Sequence, residues 1–239
     1  MQVSQLLVFL ILMGAFLAFA LWRNKLTPAA CVTAAAVGCC IFAGIGLPGI
    51  YIIGAFFLLA VTATRWGTSV KQRLDFAEHD GGRRNAGQVL ANGGVAALLG
   101  IFAWTGFVDR DLCFLLLAGA LSSATADTLS SELGTLYGQR YVDIINLKPG
   151  KKGENGVVSM EGTLIGVAAS AIIGLLTWME TNAPMDILVV VIAGTFGNLV
   201  DSILGATLER KGHLSNNAVN FLNTFAAAAL TWLLIKLFY

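Results

Sequence analysis

The chain alternates long uncharged runs with short polar segments. Runs of about 17–25 apolar residues read as membrane helices. Eight of them predict helices over roughly 5–22, 28–46, 48–65, 88–108, 112–138, 157–179, 186–209 and 217–238. The second and third form one apolar stretch, broken only by Gly44, Ile45, Gly46, Leu47, Pro48 and Gly49. Glycines and a proline at that point predict a tight turn. The fold class that follows is all-α, a polytopic membrane helix bundle of about eight spans. It forms a single membrane domain over 1–239, with a less characteristic N-terminal part (1–65) and a motif-bearing core (82–239).

Composition agrees with the pattern. The chain is 56% hydrophobic and 12% charged, half the charged fraction of about 25% in soluble domains. This excludes a soluble enzyme and leaves no room for a separate soluble domain. Ala18-Phe19-Ala20 resembles a leader-peptide cleavage site, but no basic residue precedes the first run, and Arg23 and Lys25 follow it. A retained helix is therefore expected. Cys31, Cys39, Cys40 and Cys113 lack metal-site spacing and are expected to pack as small apolar residues.

Charge position tests the helix count. With eight spans, the connections after the first, third, fifth and seventh helices share one side and hold 13 of the 15 Lys and Arg residues. Arg110 and Lys236 fall on the other. Basic loops are enriched on the cytoplasmic side, so the termini are expected outside. In a bacterium this is the plasma or inner membrane. Merging the second and third runs would weaken the asymmetry.

The polar chemistry clusters at the basic side. The fifth run carries Asp127 about 23 Å along its helix, near the edge of a ~30 Å hydrocarbon core, and Ser130, Ser131 and Glu132 follow it. Thr128 and Glu132 share a face. Acids at such depth are costly and face a bundle interior or wet cavity; the alternative is a structural ion pair with an arginine. The loop that follows holds Lys148, Pro149, Gly150, Lys151, Lys152, Gly153, Glu154, Asn155 and Gly156. Glycines point N–H groups at an anion and lysines supply charge. It lacks the GxxxxGK[ST] pattern, and no strand is expected before it; a plain topology-setting loop is the alternative. Ser159 and Glu161 open the sixth helix. The seventh places Asp201, Gly205 and Glu209 at i, i+4, i+8, one helical face. ADTLSSELG and VDSILGATLE echo one another at equal depth, as an internal duplication would produce.

Two helix starts carry amides. Arg83, Arg84, Asn85, Gln88 and Asn92 lead into the fourth helix, and Asn216, Asn217, Asn220 and Asn223 into the eighth. A helix N-terminus beside arginines is an anion site; amides that bond neighbouring helices are the alternative. His79 and His213 read as solvated loop residues, and Gly81-Gly82 as a turn. Carboxylates at a helix end beside a lysine- and glycine-rich loop suit a metal ion and phosphates.

RNAGQVLANGG, ATADTLSSELG, PGKKGENGVVSMEGTLIG and VDSILGATLERKGHLSNNAVNFLNT, in this order, resemble the DUF92 or transmembrane protein 19 family of membrane proteins. Its members include a plant phytyl-phosphate kinase of tocopherol synthesis. The likeness runs from about Gly82 to Thr224. It implies a nucleoside triphosphate (CTP), an isoprenyl monophosphate lipid acceptor and Mg2+. On that model Asp127, Glu132 and Asp201 hold metal. Lys148, Lys151, Lys152, Gly153, Asn155, Gly156, Ser131 and Ser159 hold nucleotide phosphates. Arg83 or Arg84 holds the acceptor phosphate, and Asn85, Asn92, Asn216 and Asn220 orient phosphate or sugar. The loop here is more lysine-rich than the PGTNG-like form of the family, so nucleotide or substrate preference can differ. A membrane CDP-alcohol-type cytidylyltransferase and an ion-coupled transporter are the other readings. No nucleic-acid partner is expected, and a homo-oligomer is compatible with the sequence.

Overall fold

The computed structural model describes residues 3–73 and 82–238. His79 and Gly81 lie outside the described residues. The helices are α1 (Val3–Trp22), α2 (Pro28–Gly44), α3 (Leu47–Arg65), a short α4 (Thr68–Arg73), α5 (Ala86–Trp104), α6 (Arg110–Tyr137), α7 (Met160–Thr181), α8 (Met185–Leu204) and α9 (Asn216–Phe238). A π-helical turn, Gly205–Glu209, extends α8. Seven helices among the described residues are long and apolar enough to cross a membrane, and α2 is shorter at 17 residues. The chain is an integral membrane protein built as a helical bundle.

The long apolar run does divide in two. α2 stops at Gly44, Gly46 takes φ 86, and α3 starts at Leu47 with Pro48 in its first turn. Arg110 donates from Nε and Nη2 to the Ile45 carbonyl at 3.1 and 2.6 Å. It thereby satisfies a carbonyl that the end of α2 leaves open. One of the two cations outside the basic loops thus has a structural role.

The basic connections meet at one end of the bundle. Thr27 N donates to the Arg84 carbonyl and Arg84 N to that of Lys25, at 3.0 and 2.9 Å. Trp66 Nε1 donates to Tyr137 Oη at 2.7 Å. Arg210 bonds Asp143 at 2.7 Å. A merged α2–α3 would send residues 23–27 to the opposite end, and their pairing with Arg84 rules that out.

α6 is the axis. Its 28 residues extend about 42 Å, so one end must protrude from a ~30 Å core. It packs on α3, α5, α7, α8 and α9. Small residues let those helices close in: a Cβ at Gly197 would lie 2.1 Å from Ser123 Oγ. α1, by contrast, packs among the described residues mainly on α2 and α3 and presents Val3, Leu7, Leu10 and Ile11 outward.

Two expectations are corrected after α6. A strand does precede the basic loop: β1 (Tyr141–Asp143) pairs antiparallel with β2 (Val157–Ser159), Val142 opposite Val158. The sixth membrane helix therefore opens at Met160, not 157. The β-branched Val142, Val157 and Val158 suit the pleat, and Ser159 accepts from Gly162 N at 3.1 Å as the N-cap of α7.

Candidate functional site

A cavity of about 330 Å³ opens where the ends of α6 and α8, the hairpin loop and the start of α9 converge. α6 and α8 run in the same direction, and each carries its aspartate deep along its length. Asp127 lies 17 residues beyond Arg110 and Asp201 16 beyond Met185, about 26 and 24 Å along their axes. Both line the cavity, and the two carboxyl groups lie close enough to interact directly. Coulomb repulsion between two ionised carboxylates at that separation has to be offset by a shared proton, by positive charge or by donors set against the pair.

One amide, itself held by a hydroxyl, supplies part of that offset. Asn223, fully buried, donates from Nδ2 to Asp201 Oδ2 at 2.6 Å and accepts from Ser123 Oγ at 3.2 Å. Ser130 Oγ donates to Asn198 Oδ1 at 3.1 Å, in the same wall. The π turn carries Glu209 to the cavity rim. There its carboxylate lies beside the Asn216 and Asn155 side chains in one wall, which brings the acid wall next to the loop and to α9. Such turns recur at functional sites because the wider turn re-aims the residues after it. Asp201, Gly205 and Glu209 all line the cavity, as a shared helical face predicts.

The loop closes the other side. Gly153, Glu154, Asn155 and Gly156 line the cavity. Gly156 has φ 76, and a Cβ there would fall 2.3 Å from Ala206 Cβ. Only glycine lets the loop lie this close to the π turn. Arg210 clamps the arrangement, with Nη1 on Asp143 Oδ2 at 2.7 Å and Nη2 on the Asn155 carbonyl. Asp143 Oδ1 also accepts from Ile145 N and Asn146 N at 3.0 and 3.2 Å. The arginine above all, and these backbone donors after it, hold the Asp143 carboxyl below the usual range.

The other candidates fall into distinct places. Glu132 lines the same cavity, but its Oε2 meets Lys71 Nζ at 2.5 Å. Lys71 also donates to the carbonyls of Ala63 and Thr64. Ser131 and Ser159 line the cavity, as does Asn216; Asn220 donates to Asn216 Oδ1 at 3.4 Å. The side chains of Lys148, Lys151 and Lys152 are not in the wall, and Lys152 sits over the Tyr141 ring at 5.6 Å. Asn85 caps α5 in a reciprocal pairing with Gln88, and Asn92 donates to the Gln88 carbonyl. Arg83 Nε donates to the Leu26 carbonyl at 3.2 Å. Arg84 lies close enough to Asp127 for their charges to interact.

Asn198, Asp143 and the clamping role of Arg210 are not singled out by the sequence. An amide inside an apolar run, three residues before Asp201, was the available signal for Asn198.

The donors fit Mg2+ by type. It accepts hard oxygen ligands, one or two carboxylates completed by phosphate oxygens and water. Two facing aspartates meet that minimum. Among the described residues no group of three His, Cys, Asp or Glu side chains converges as a metal cage.

Fold and site together define a polytopic helical membrane protein with an acidic, amide-lined cavity at one end of its bundle. The chain belongs to the integral membrane protein family DUF92, whose model matches residues 11–228. It is 32% identical to an uncharacterized membrane protein of Methanocaldococcus jannaschii, over 77% of this chain and 75% of that one. It is 32% identical to a second such protein, from Synechocystis, over 87% and 82%. Protein VTE6, chloroplastic, of Arabidopsis thaliana is 31% identical over 74% of this chain and 56% of its own. No solved structure matches.

Proposed function

We propose that the protein is an isoprenyl-phosphate kinase that moves the terminal phosphoryl group of a nucleoside triphosphate, CTP by preference, to an isoprenyl monophosphate. The observation that carries this is the facing pair Asp127–Asp201, set at membrane-edge depth in a cavity closed by a glycine-bearing loop. The motif likeness to a phytyl-phosphate kinase and the similarity to Protein VTE6 support it.

An acceptor phosphate oxygen attacks the γ-phosphorus, the bond to the β,γ-bridging oxygen breaks, and the nucleoside diphosphate leaves with that oxygen's electron pair. The acceptor is already ionised at neutral pH, so no general base is required, and positioning with charge neutralisation suffices. Mg2+ held by Asp127 and Asp201 supplies that neutralisation when bound. Glu209 and Asn216 fix the rim, the backbone of Gly153–Gly156 presents N–H groups to the polyphosphate, and Lys148, Lys151 and Lys152 raise the positive potential outside the wall. Arg84 takes the acceptor phosphate. The site faces the cytoplasm, where the basic loops lie.

The test is purified protein in nanodiscs with Mg2+, each labelled nucleoside triphosphate and a panel of isoprenyl monophosphates. The expected products are the isoprenyl diphosphate and the nucleoside diphosphate. Pyrophosphate release with a nucleotide-linked lipid would replace the kinase by a cytidylyltransferase. No turnover and no nucleotide binding would overturn both.

A further inference from the structure

A second cavity, of about 520 Å³, lies between α1, α2, α3 and α5. Its size falls within the ~300–1,000 Å³ of small-molecule sites. Leu12, Phe16, Val37, Ile53 and Phe57 give it an apolar interior. One end is polar, where Gln88, Asn92 and Arg84 line it. Arg84 is the one charged side chain among the described lining residues, and its guanidinium sits 5.6 Å from the Phe56 ring. The same arginine feels the charge of Asp127 across the bundle. The cation at the polar end of the apolar cavity therefore lies toward the acidic cavity, with which that cavity shares no lining residue.

We propose that this cavity is the tail site of the lipid acceptor: it holds a single isoprenoid chain, with the chain's phosphate at Arg84 and turned toward Asp127. The assignment rests on the kinase reading above and adds to it where the substrate's apolar part lies. The fit is one of shape and charge. A tail fills the apolar volume and excludes water from it. An anionic head meets the cation at the charged end. The head is then directed from Arg84 toward the aspartate pair, where the kinase reading puts the nucleotide's phosphates. A chain buried among four helices is also measured by them, so the cavity sets the accepted length.

Gly54 on α3 offers a clean way to test this. It lines the cavity, and a Cβ there meets nothing within 4 Å. A side chain at 54 therefore starts into open space, leucine extends it into the cavity, and a non-glycine residue favours the helix. The probe is geranylgeranyl monophosphate with a diazirine at the end of its tail, photolysed in nanodiscs without nucleotide. Adducts are expected on α1, α2 and α3. Unlabelled geranylgeranyl monophosphate should displace them, whereas the corresponding alcohol and bulk phosphatidylglycerol should not. Gly54→Leu should cut labelling by the long probe about tenfold relative to a geranyl-length probe. Arg84→Gln should weaken displacement by the phosphate about tenfold. Adducts spread over the whole bilayer-facing surface, equal displacement by phosphatidylglycerol, or a long-to-short ratio unchanged in Gly54→Leu would each overturn the tail site. Labelling is read without turnover, so the two readings fail separately. Specific labelling with no phosphoryl transfer overturns the kinase and leaves the tail site. Transfer with unchanged chain-length preference in Gly54→Leu does the reverse.

Discussion

Asp127 and Glu132 stand five residues apart on α6 and line the same cavity, yet their surroundings differ in sign. Glu132 meets a lysine: Lys71 is 3% exposed, reaches it at 2.5 Å and gives its remaining donors to two carbonyls. Asp127 meets another acid, Asp201. A compensated buried charge ties α4 to α6 and holds the fold. Two acids of like charge held together oppose folding unless a proton or a cation lies between them, and on the proposed function a metal ion takes that place. On the proposed function, sign of partner, more than depth or burial, separates the acid that holds structure from the acid that does chemistry.

The largest expected effect breaks the like-charged side of the comparison. Asp127→Asn and Asp201→Asn should each lower kcat by at least about a hundredfold, a loss of the size that follows removal of a preorganised charge-stabilising group. Both should leave the thermal midpoint unchanged or higher, because a repulsion is relieved. The pair of readouts matters. Full activity in either variant, or a large drop in midpoint with it, would place that aspartate with Glu132 among the structural acids.

The opposite-charged side should fail in the opposite manner. Glu132→Ala leaves Lys71 buried without its carboxylate, a change that costs about 3 kcal/mol or more in buried pairs. The midpoint should drop clearly. The double variant Lys71→Met, Glu132→Leu should recover most of it, since replacing both charges is often near neutral. A catalytic Glu132 would show the reverse: a stable double variant with no activity.

Between these extremes stands Asn223, which touches Asp201 at 2.6 Å and is itself fixed by Ser123. Asn223→Leu should reduce kcat about tenfold, in line with groups that orient a ligand. Added to Asp201→Asn it should cost little more, because the two act as one unit. Additive losses would detach Asn223 from Asp201.

This ordering also shows what could be read from residues alone. Asp127 and Asp201 were legible because an acid some 15 residues into an apolar helix has few structural excuses, and helical rise alone places it. The α2–α3 turn was legible in Gly46 and Pro48, with the charge pattern as its check. The Lys71–Glu132 pair was not, since its members are 61 residues apart and no local rule joins them. The hairpin was not either: three-residue strands are too short to show alternation. Arg210 read only as another cation of the basic loop. Its bond to Asp143 exists because that hairpin turns the carboxylate toward the π turn.

That last contact gives the smallest effect and the finest test, because it sets a third carboxylate beside the other two. Asp143 lies outside the membrane-spanning helices, and Arg210 holds its carboxyl below the ordinary value of about 3.9. A carboxyl depressed by folding adds its stabilisation fully above the unfolded value and loses it as pH falls through the folded one. The clamp on residues 144–156 is thus complete at neutral pH and released only in acid. Hydrogen exchange of that segment, corrected for intrinsic rate, should be faster in Asp143→Asn than in the parent at pH 6. The difference should shrink as the pH is taken below ~3.9 and onward. A difference that stays constant with pH would mean that the loop is held by its backbone pairing with β1 alone. Asp143 would then resemble neither Glu132 nor Asp127, and the loop that closes the acidic cavity would owe nothing to charge.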